Sequence, residues 1–323
     1  MTGVWTDGDE YTVPVAGGDL AVTRWGGRST TPVLAVHGIT ANGHSFARVA
    51  AELGGAGLVA PESEGGGPIA PGLGGAGPSG HLGGVGLVAP DLRGRGLSGH
   101  LGGPRGLAAH ADDMIAVLDA HGVERTVLVG HSMGAFVACL AAVRHPDRVS
   151  GLLLVDGGYG LPVPPGTDID AVLGPAMARL RMTFEGPEHY REFWRGHPAF
   201  AGRWNTWIDH YVLRDLVGEP PAMRSACDEE TVRADGAQVL ADPDALGAVH
   251  RLPCPARLLW TARGLLDESP GLYTPERLAG LPEGVVTVEL PDDNHYSPLF
   301  SPTAGLVAEH VRTLVGGGSP GVP

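Results

Sequence analysis

The chain has 323 residues, 43% of them hydrophobic, and a formal charge of −14, with every one of its 22 basic residues an arginine. That excess of acid argues against nucleic acid or an anionic membrane surface as a partner, and no uninterrupted apolar run approaches the ~18 residues a membrane span requires. Cys139, Cys227 and Cys254 are widely spaced and form no C-x-x-C, so they read as free thiols rather than as a disulfide framework or zinc site.

The segment Met1 to Glu10 is polar and acidic, with neither a basic n-region nor an apolar h-region, and a cytoplasmic location is expected. Tyr11–Val15 and Leu20–Trp25 flank Ala16-Gly17-Gly18-Asp19, the signature of a β-hairpin. Pro32–Val36 predicts a short buried strand, and Gly43–Leu53 a helix from its spacing of Phe46, Val49, Ala50 and Leu53. Between them lies His37-Gly38-Ile39-Thr40.

Residues 54–106 are anomalous. Gly-Gly-Ala-Gly-Leu-Val-Ala-Pro at 54–61 recurs as Gly-Gly-Val-Gly-Leu-Val-Ala-Pro at 83–90, and Ser-Gly-His-Leu-Gly-Gly at 79–84 recurs at 98–103. The period is inconsistent and no unit carries a core, so this is a local duplication and not a solenoid. Asp91-Leu92-Arg93-Gly94-Arg95-Gly96 follows the second copy directly. The strand is therefore assigned to Gly86–Ala89, and residues 57–82 to a Gly/Pro-rich excursion.

Leu107–His121 predicts an amphipathic helix with Asp112, Asp113 and Asp119 on its polar side. A buried strand over Glu124–Val129 then runs into Gly130-His131-Ser132-Met133-Gly134 and a helix over Ala135–Arg144. A strand that turns into a helix within about one residue, between two glycines, exposes the serine at its apex. Gly151–Val155 is another buried strand, ending at Asp156. From Leu161 to His250 the chain is rich in aromatics and predicts helices, such as Trp204–Leu216, with no parallel-strand run. Ala256–Thr261 and Val285–Leu290 resume the strands, and Ser301–Val315 closes as a helix. Alternating strands and helices predict an α/β fold, a mostly parallel sheet with helices on both faces. Residues 1–160 and 251–323 would form the core, with 161–250 a helical cap inserted after the sixth strand.

Chemistry-bearing groups gather at strand ends in such sheets. A serine needs a base to take its proton and a carboxylate to orient that base. Three strand ends supply these types in the order Ser132, Asp267, His295. With H-G-I-T at 37–40, D-L-R-G-R-G-L-S at 91–98, R-G-L-L-D at 263–267 and D-N-H-Y at 293–296, the chain resembles the α/β-hydrolase superfamily from about Tyr11 to Val315.

The resemblance implies Ser132 as nucleophile, His295 as general base then acid, and Asp267 as its orienting carboxylate, with Asp156 the alternative because some relatives use that strand. It implies the backbone N–H groups of Met133 and Ile39 as the oxyanion hole. Gly38, His131, Phe136, Trp204, Trp207 and Tyr296 are the expected pocket residues, His131 mainly as a structural group pointing away from the hydroxyl. The aromatic run Phe193 to Tyr211 suggests an apolar substrate group, or else simply the core of the cap. Asp91-Leu92-Arg93-Gly94 reads as structural, His37 as turn-stabilising, and Asp292 and Asp293 as loop surface.

No cofactor is implied, and no histidine spacing suggests a metal. The expected reaction is attack on a carboxylic ester, thioester or lactone through an acyl-enzyme, since a serine nucleophile disfavours the aspartate-dependent dehalogenase and epoxide-hydrolase branches. The alternatives are a cofactor-free perhydrolase or haloperoxidase, a carbon–carbon bond hydrolase, and a non-catalytic ligand-binding module on the same fold. The expected partner is a small apolar ester; the sequence leaves the oligomeric state open.

Overall fold

Short β-branched and aliphatic runs make the centre of the protein. In the computed structural model, which describes residues 8–26, 31–54, 84–161, 163–164 and 166–317, these runs form one eight-stranded sheet. Its strands are β1 (Asp9–Val15), β2 (Gly18–Trp25), β3 (Val33–Val36), β4 (Leu87–Pro90), β5 (Thr126–His131), β6 (Val149–Val155) and, after a ribbon of two-residue strands β7 (Leu216–Val217) and β8 (Arg224–Ser225), β9 (Ala256–Thr261) and β10 (Val285–Leu290). The order is β1-β2-β4-β3-β5-β6-β9-β10. β1 and β2 form the expected antiparallel edge, and every other neighbouring pair except β2·β4 is parallel.

Successive side chains of a strand face opposite sides of a sheet, and both sides are used here. Leu34, Val36, Leu128, Leu152 and Leu154 pack into one core with α2 (Leu107–Ala120) and α3 (Met133–Arg144). Val33, Ala35, Val129, Leu153 and Val155 pack into the other with α1 (Ala47–Leu53) and the C-terminal helix Ala304–Val315. This two-sided burial is why the central strands read as continuous apolar runs rather than alternating ones.

The assignment of the strand to the second duplicated copy agrees with β4, which pairs with β2 and β3; the 57–82 excursion lies outside the described residues. Asp113 departs from the expected polar face. It is buried and receives the Arg93 guanidinium at 2.6 and 2.7 Å, because an arginine that enters the core from the Asp91–Gly96 segment needs a carboxylate there.

Between β6 and β9 lie six short helices: α4 (Ile169–Leu173), α5 (Pro175–Arg179), α6 (Pro187–Arg195), α7 (Thr206–Arg214), α8 (Glu229–Ala241) and α9 (Pro243–Ala248). This insertion supplies Ile169, Leu173, Val232 and Val239 to the first core and Phe184, Tyr190, Trp194, Phe200, Ile208 and Tyr211 to the second. It thus packs into the cores on both faces of the sheet. α10 (Pro275–Leu278) precedes β10, and the C-terminal helix is α11. Cys139, Cys227 and Cys254 are free thiols.

Candidate active site

At the end of β5 the chain reverses into α3 within one residue, and Ser132 takes the strain with φ 55° and ψ −122°. Such a conformation costs a non-glycine residue about 1–3 kcal/mol and persists only where its surroundings over-determine it. They do. A methyl group on Gly130 would overlap the Gly134 carbonyl, one on Gly134 the Val36 carbonyl, and one on Gly157 the carbonyl of Ser132 itself. Ser132 N–H also donates to Val155 O at 3.0 Å, tying the apex to the next strand.

His295 reaches the same place from the loop after β10. Its Nδ1–H donates to Asp156 Oδ2 at 2.7 Å, and Asp156, fully buried at the end of β6, also accepts the Thr261 N–H at 3.1 Å. With Nδ1 occupied as a donor, the free lone pair of the neutral ring is on Nε2. The expected carboxylate, Asp267, is elsewhere. It pairs with Arg263 at 2.9 Å and accepts the Asn294 amide at 3.0 Å, with 25% of its side chain exposed. Burial opposes ionisation of Asp267, but the Asn294 amide and the Arg263 guanidinium together hold its carboxyl below the usual range. The partner of His295 is therefore Asp156. Asp267 instead steadies Asn294, the residue before His295, which also donates to Ala199 O at 2.9 Å.

The loop opposite is held by His37. His37 Nε2 accepts the Leu92 N–H at 2.9 Å, and its Nδ1–H donates to Gly38 O at 2.8 Å, a carbonyl that also receives the Ala41 N–H at 3.2 Å. In a trans peptide the C=O and N–H point in opposite directions, so anchoring Gly38 O turns the Ile39 N–H the other way. Burial pushes the His37 pKa down to about 3, which keeps the ring neutral and able to play both roles. Neither the Ile39 nor the Met133 N–H meets an acceptor among the described residues.

Two cavities meet at Ser132, His295 and Ile39. One has Gly38, Thr40, Ser45, His131, Tyr211 and Tyr296 in its wall; the other has Met133, Phe136, Ile169, Val172, Val239 and Tyr273, and is almost wholly apolar. Leu265 and Leu173 line both. Gly38, His131, Phe136 and Tyr296, singled out from the sequence, thus each line one of the two cavities.

His131 does not point away. Its Nε2–H donates to His295 O at 2.8 Å, its ring lies 4.8 Å from that of His295, and burial, then the neighbouring His295, holds its pKa down to about 3. Trp204 and Trp207 line neither cavity. Asn205 caps α7 through the Ile208 N–H, which leaves Trp204 outside the helix, under the Arg195 guanidinium at 5.1 Å. Tyr211, one turn beyond Trp207, takes the place at the wall. The other aromatics mostly form the insertion's own core, with Trp194 edge-on to Phe200 at 5.5 Å. Asp293 is not loop surface either: it is buried and accepts Ser301 Oγ at 3.2 Å and Thr303 Oγ1 at 2.7 Å, fixing the start of α11.

A family model described as the alpha/beta hydrolase fold matches residues 31–187. E-2-(Acetamidomethylene)succinate hydrolase superposes over 95% of this chain and all of its own with a TM-score of 0.72 at 19% identity. This protein has the α/β-hydrolase fold. Among curated relatives, a 2-hydroxymuconate semialdehyde hydrolase of Pseudomonas sp. (strain CF600) is 42% identical over 72 residues, 22% of this chain and 25% of that protein. Lipase LipV of Mycobacterium tuberculosis is 31% identical over 143 residues, 44% of this chain and 43% of its own. The matched regions span less than half the length of these curated relatives.

On this α/β-hydrolase frame, sequence reading missed Ser45, Leu173 and Leu265 as wall residues, and among the aromatics from Phe193 to Tyr211 it did not single out Tyr211. Leu265, two residues from Asp267 in the R-G-L-L-D turn, was within reach of motif reading; Leu173 depends on how the insertion seats, and Ser45 on how the turn Gly43–Phe46 packs beside the cavity.

Proposed function

We propose that this protein is a serine hydrolase acting on a carboxylic ester, thioester or lactone through an acyl-enzyme, with Ser132, His295 and Asp156 as the catalytic set. The observation that carries the reading is the 2.7 Å bond from His295 Nδ1 to buried Asp156, beside a strained serine that shares both cavity walls with His295. His295 Nε2 takes the Ser132 proton as Oγ attacks the carbonyl carbon, and then returns it to the departing alcohol or thiol. A water deprotonated by the same nitrogen hydrolyses the acyl-enzyme. The Ile39 and Met133 N–H groups receive the developing oxyanion, each contributing about 3–4 kcal/mol to the transition state. Residues 161–250 act as a cap. The cavity beside Met133 and Phe136 takes an apolar substituent, and no cofactor enters the reaction.

A second reading, hydrolysis of an activated carbon–carbon bond, draws support from the similarity to 2-hydroxymuconate semialdehyde hydrolase. The deciding experiment is intact-protein mass spectrometry after a fluorophosphonate, on wild type, Ser132→Ala and His295→Ala, followed by p-nitrophenyl acetate against an activated diketone. One adduct, lost in both variants, is expected; a folded wild type without an adduct sinks the mechanism.

A further inference from the structure

The peptide that carries the Ile39 N–H is anchored on its carbonyl side by His37, but the next two carbonyls of the same loop are held from further away. Ile39 O accepts Arg95 Nε at 2.8 Å, and Thr40 O accepts Arg179 Nη2 at 3.3 Å. Both guanidiniums are buried, and each is neutralised by a buried aspartate of the insertion. Arg95 Nη1 lies 2.5 Å from Asp235 Oδ2 on α8, which His110 Nε2 also meets at 2.9 Å. Arg179 pairs with Asp215 just after α7, with Tyr190 and Ser225 completing the cluster.

Stability is a poor explanation for these pairs. Burying two charges costs several kcal/mol per ion before their attraction returns it, and apolar replacements are often as good or better. Here the networks are also incomplete: Arg95 Nη2, Asp235 Oδ1, Arg179 Nε and His110 Nδ1 meet no hydrogen-bond partner among the described residues. What a guanidinium held at both ends does supply is direction. It fixes where a carbonyl points, and with it the backbone torsions on either side.

We propose that Asp235 and Asp215 are positioning residues of the oxyanion loop, acting through Arg95 and Arg179 on the carbonyls of Ile39 and Thr40, so that the Ile39 N–H is aimed only while the insertion is docked. This rests on the serine-hydrolase reading for its kinetic consequence, though not for its structural one. The other cation of the D-L-R-G-R-G segment supplies an internal control. Arg93 and Asp113 form an equally buried pair, but its remaining bonds go to Ala16 O and Gly102 O, away from the loop.

The test compares Asp235→Asn, Asp215→Asn and Asp113→Asn by thermal melting, by hydrogen exchange of the amides at 38–41, and by kcat and KM on p-nitrophenyl acetate. Asp235→Asn and Asp215→Asn are expected to speed exchange at 38–41 and to lower kcat ~10- to 100-fold with KM within about threefold, the signature of a lost transition-state interaction. Asp113→Asn is expected to lower the melting temperature while leaving loop exchange and kcat near wild type. If Asp235→Asn fails to fold, Arg95→Lys reads the same effect, because it keeps a positive charge facing Asp235 while losing the Nε donor to Ile39 O. Folded variants with unchanged exchange at 38–41, or an equal kcat loss in Asp113→Asn, overturn the proposal. A wild type that takes no fluorophosphonate overturns the hydrolase reading instead, and the exchange data still judge the loop.

Discussion

Two aspartates stand just past the ends of strands in this sheet, Asp156 after β6 and Asp267 in the turn after β9, and both adopt positive φ, 45° and 64°. Their surroundings separate them. Asp156 is wholly buried and faces His295, whereas Asp267 spends its oxygens on Arg263 and Asn294 at the rim. A carboxylate that orients a base must be desolvated and have no competing cation, since a guanidinium beside it would take the bond the imidazole needs. Position along the chain carries neither condition.

The comparison breaks most directly by removing one charge at a time. Asp156→Asn is expected to cost about 10⁴-fold in kcat, as a triad amide favours the wrong tautomer, with the melting curve showing the protein still folded. Asp267→Asn should cost less than about tenfold, through a looser Asn294, and steady-state kinetics on one ester settles both. Equal losses would mean that the two loops exchange roles in solution.

The glycines beside the two acids sharpen the contrast. A methyl on Gly157 meets the Ser132 carbonyl, which cannot move without undoing the elbow, while the nearest atoms to one on Gly264 are the end of the Glu268 side chain, held there by the Leu266 N–H. Gly157→Ala should therefore destabilise by about 2–4 kcal/mol, the range of a severe local clash. Gly264→Ala should shift urea unfolding by less than about 1 kcal/mol, as Glu268 swings aside.

A further effect is in pH. His131, packed against His295, titrates near 3 when folded and near 6.5 when unfolded, so below pH 6.5 the unfolded chain binds a proton that the native one does not. Stability falls as pH drops from 6.5 toward 3 by about 1.4 kcal/mol per unit for this histidine, and by a like amount for His37. Asp267, with a depressed folded pKa, adds stability that is lost only at lower pH, below the ordinary carboxylate value. Urea titrations at pH 7.5, 6.0 and 5.0 should show the slope, and His131→Asn should reduce it by one proton.

The amino-acid sequence alone determined the strands of the sheet, the elbow, and the serine and histidine that line both cavities. Those features rest on short-range physics: an apolar run buried on both faces, glycines where no side chain fits, and a histidine a few residues past a strand. It also marked His37 and the second duplicated copy correctly, for the same local reasons. Only the tertiary structure decided which aspartate meets His295, that Tyr211 and not Trp204 or Trp207 reaches the cavity wall, that His131 turns toward His295, and that Asp113 and Asp293 are buried. Most of those depend on residues distant in the chain: Asp156 and His295 are 139 positions apart and His131 and His295 164, whereas Asp293 is closed in by Ser301 and Thr303 just beyond it. Hydrogen bonds of that span follow from how strand-end loops and the insertion pack against one another, and packing is a property of surfaces that spacing along a chain does not carry.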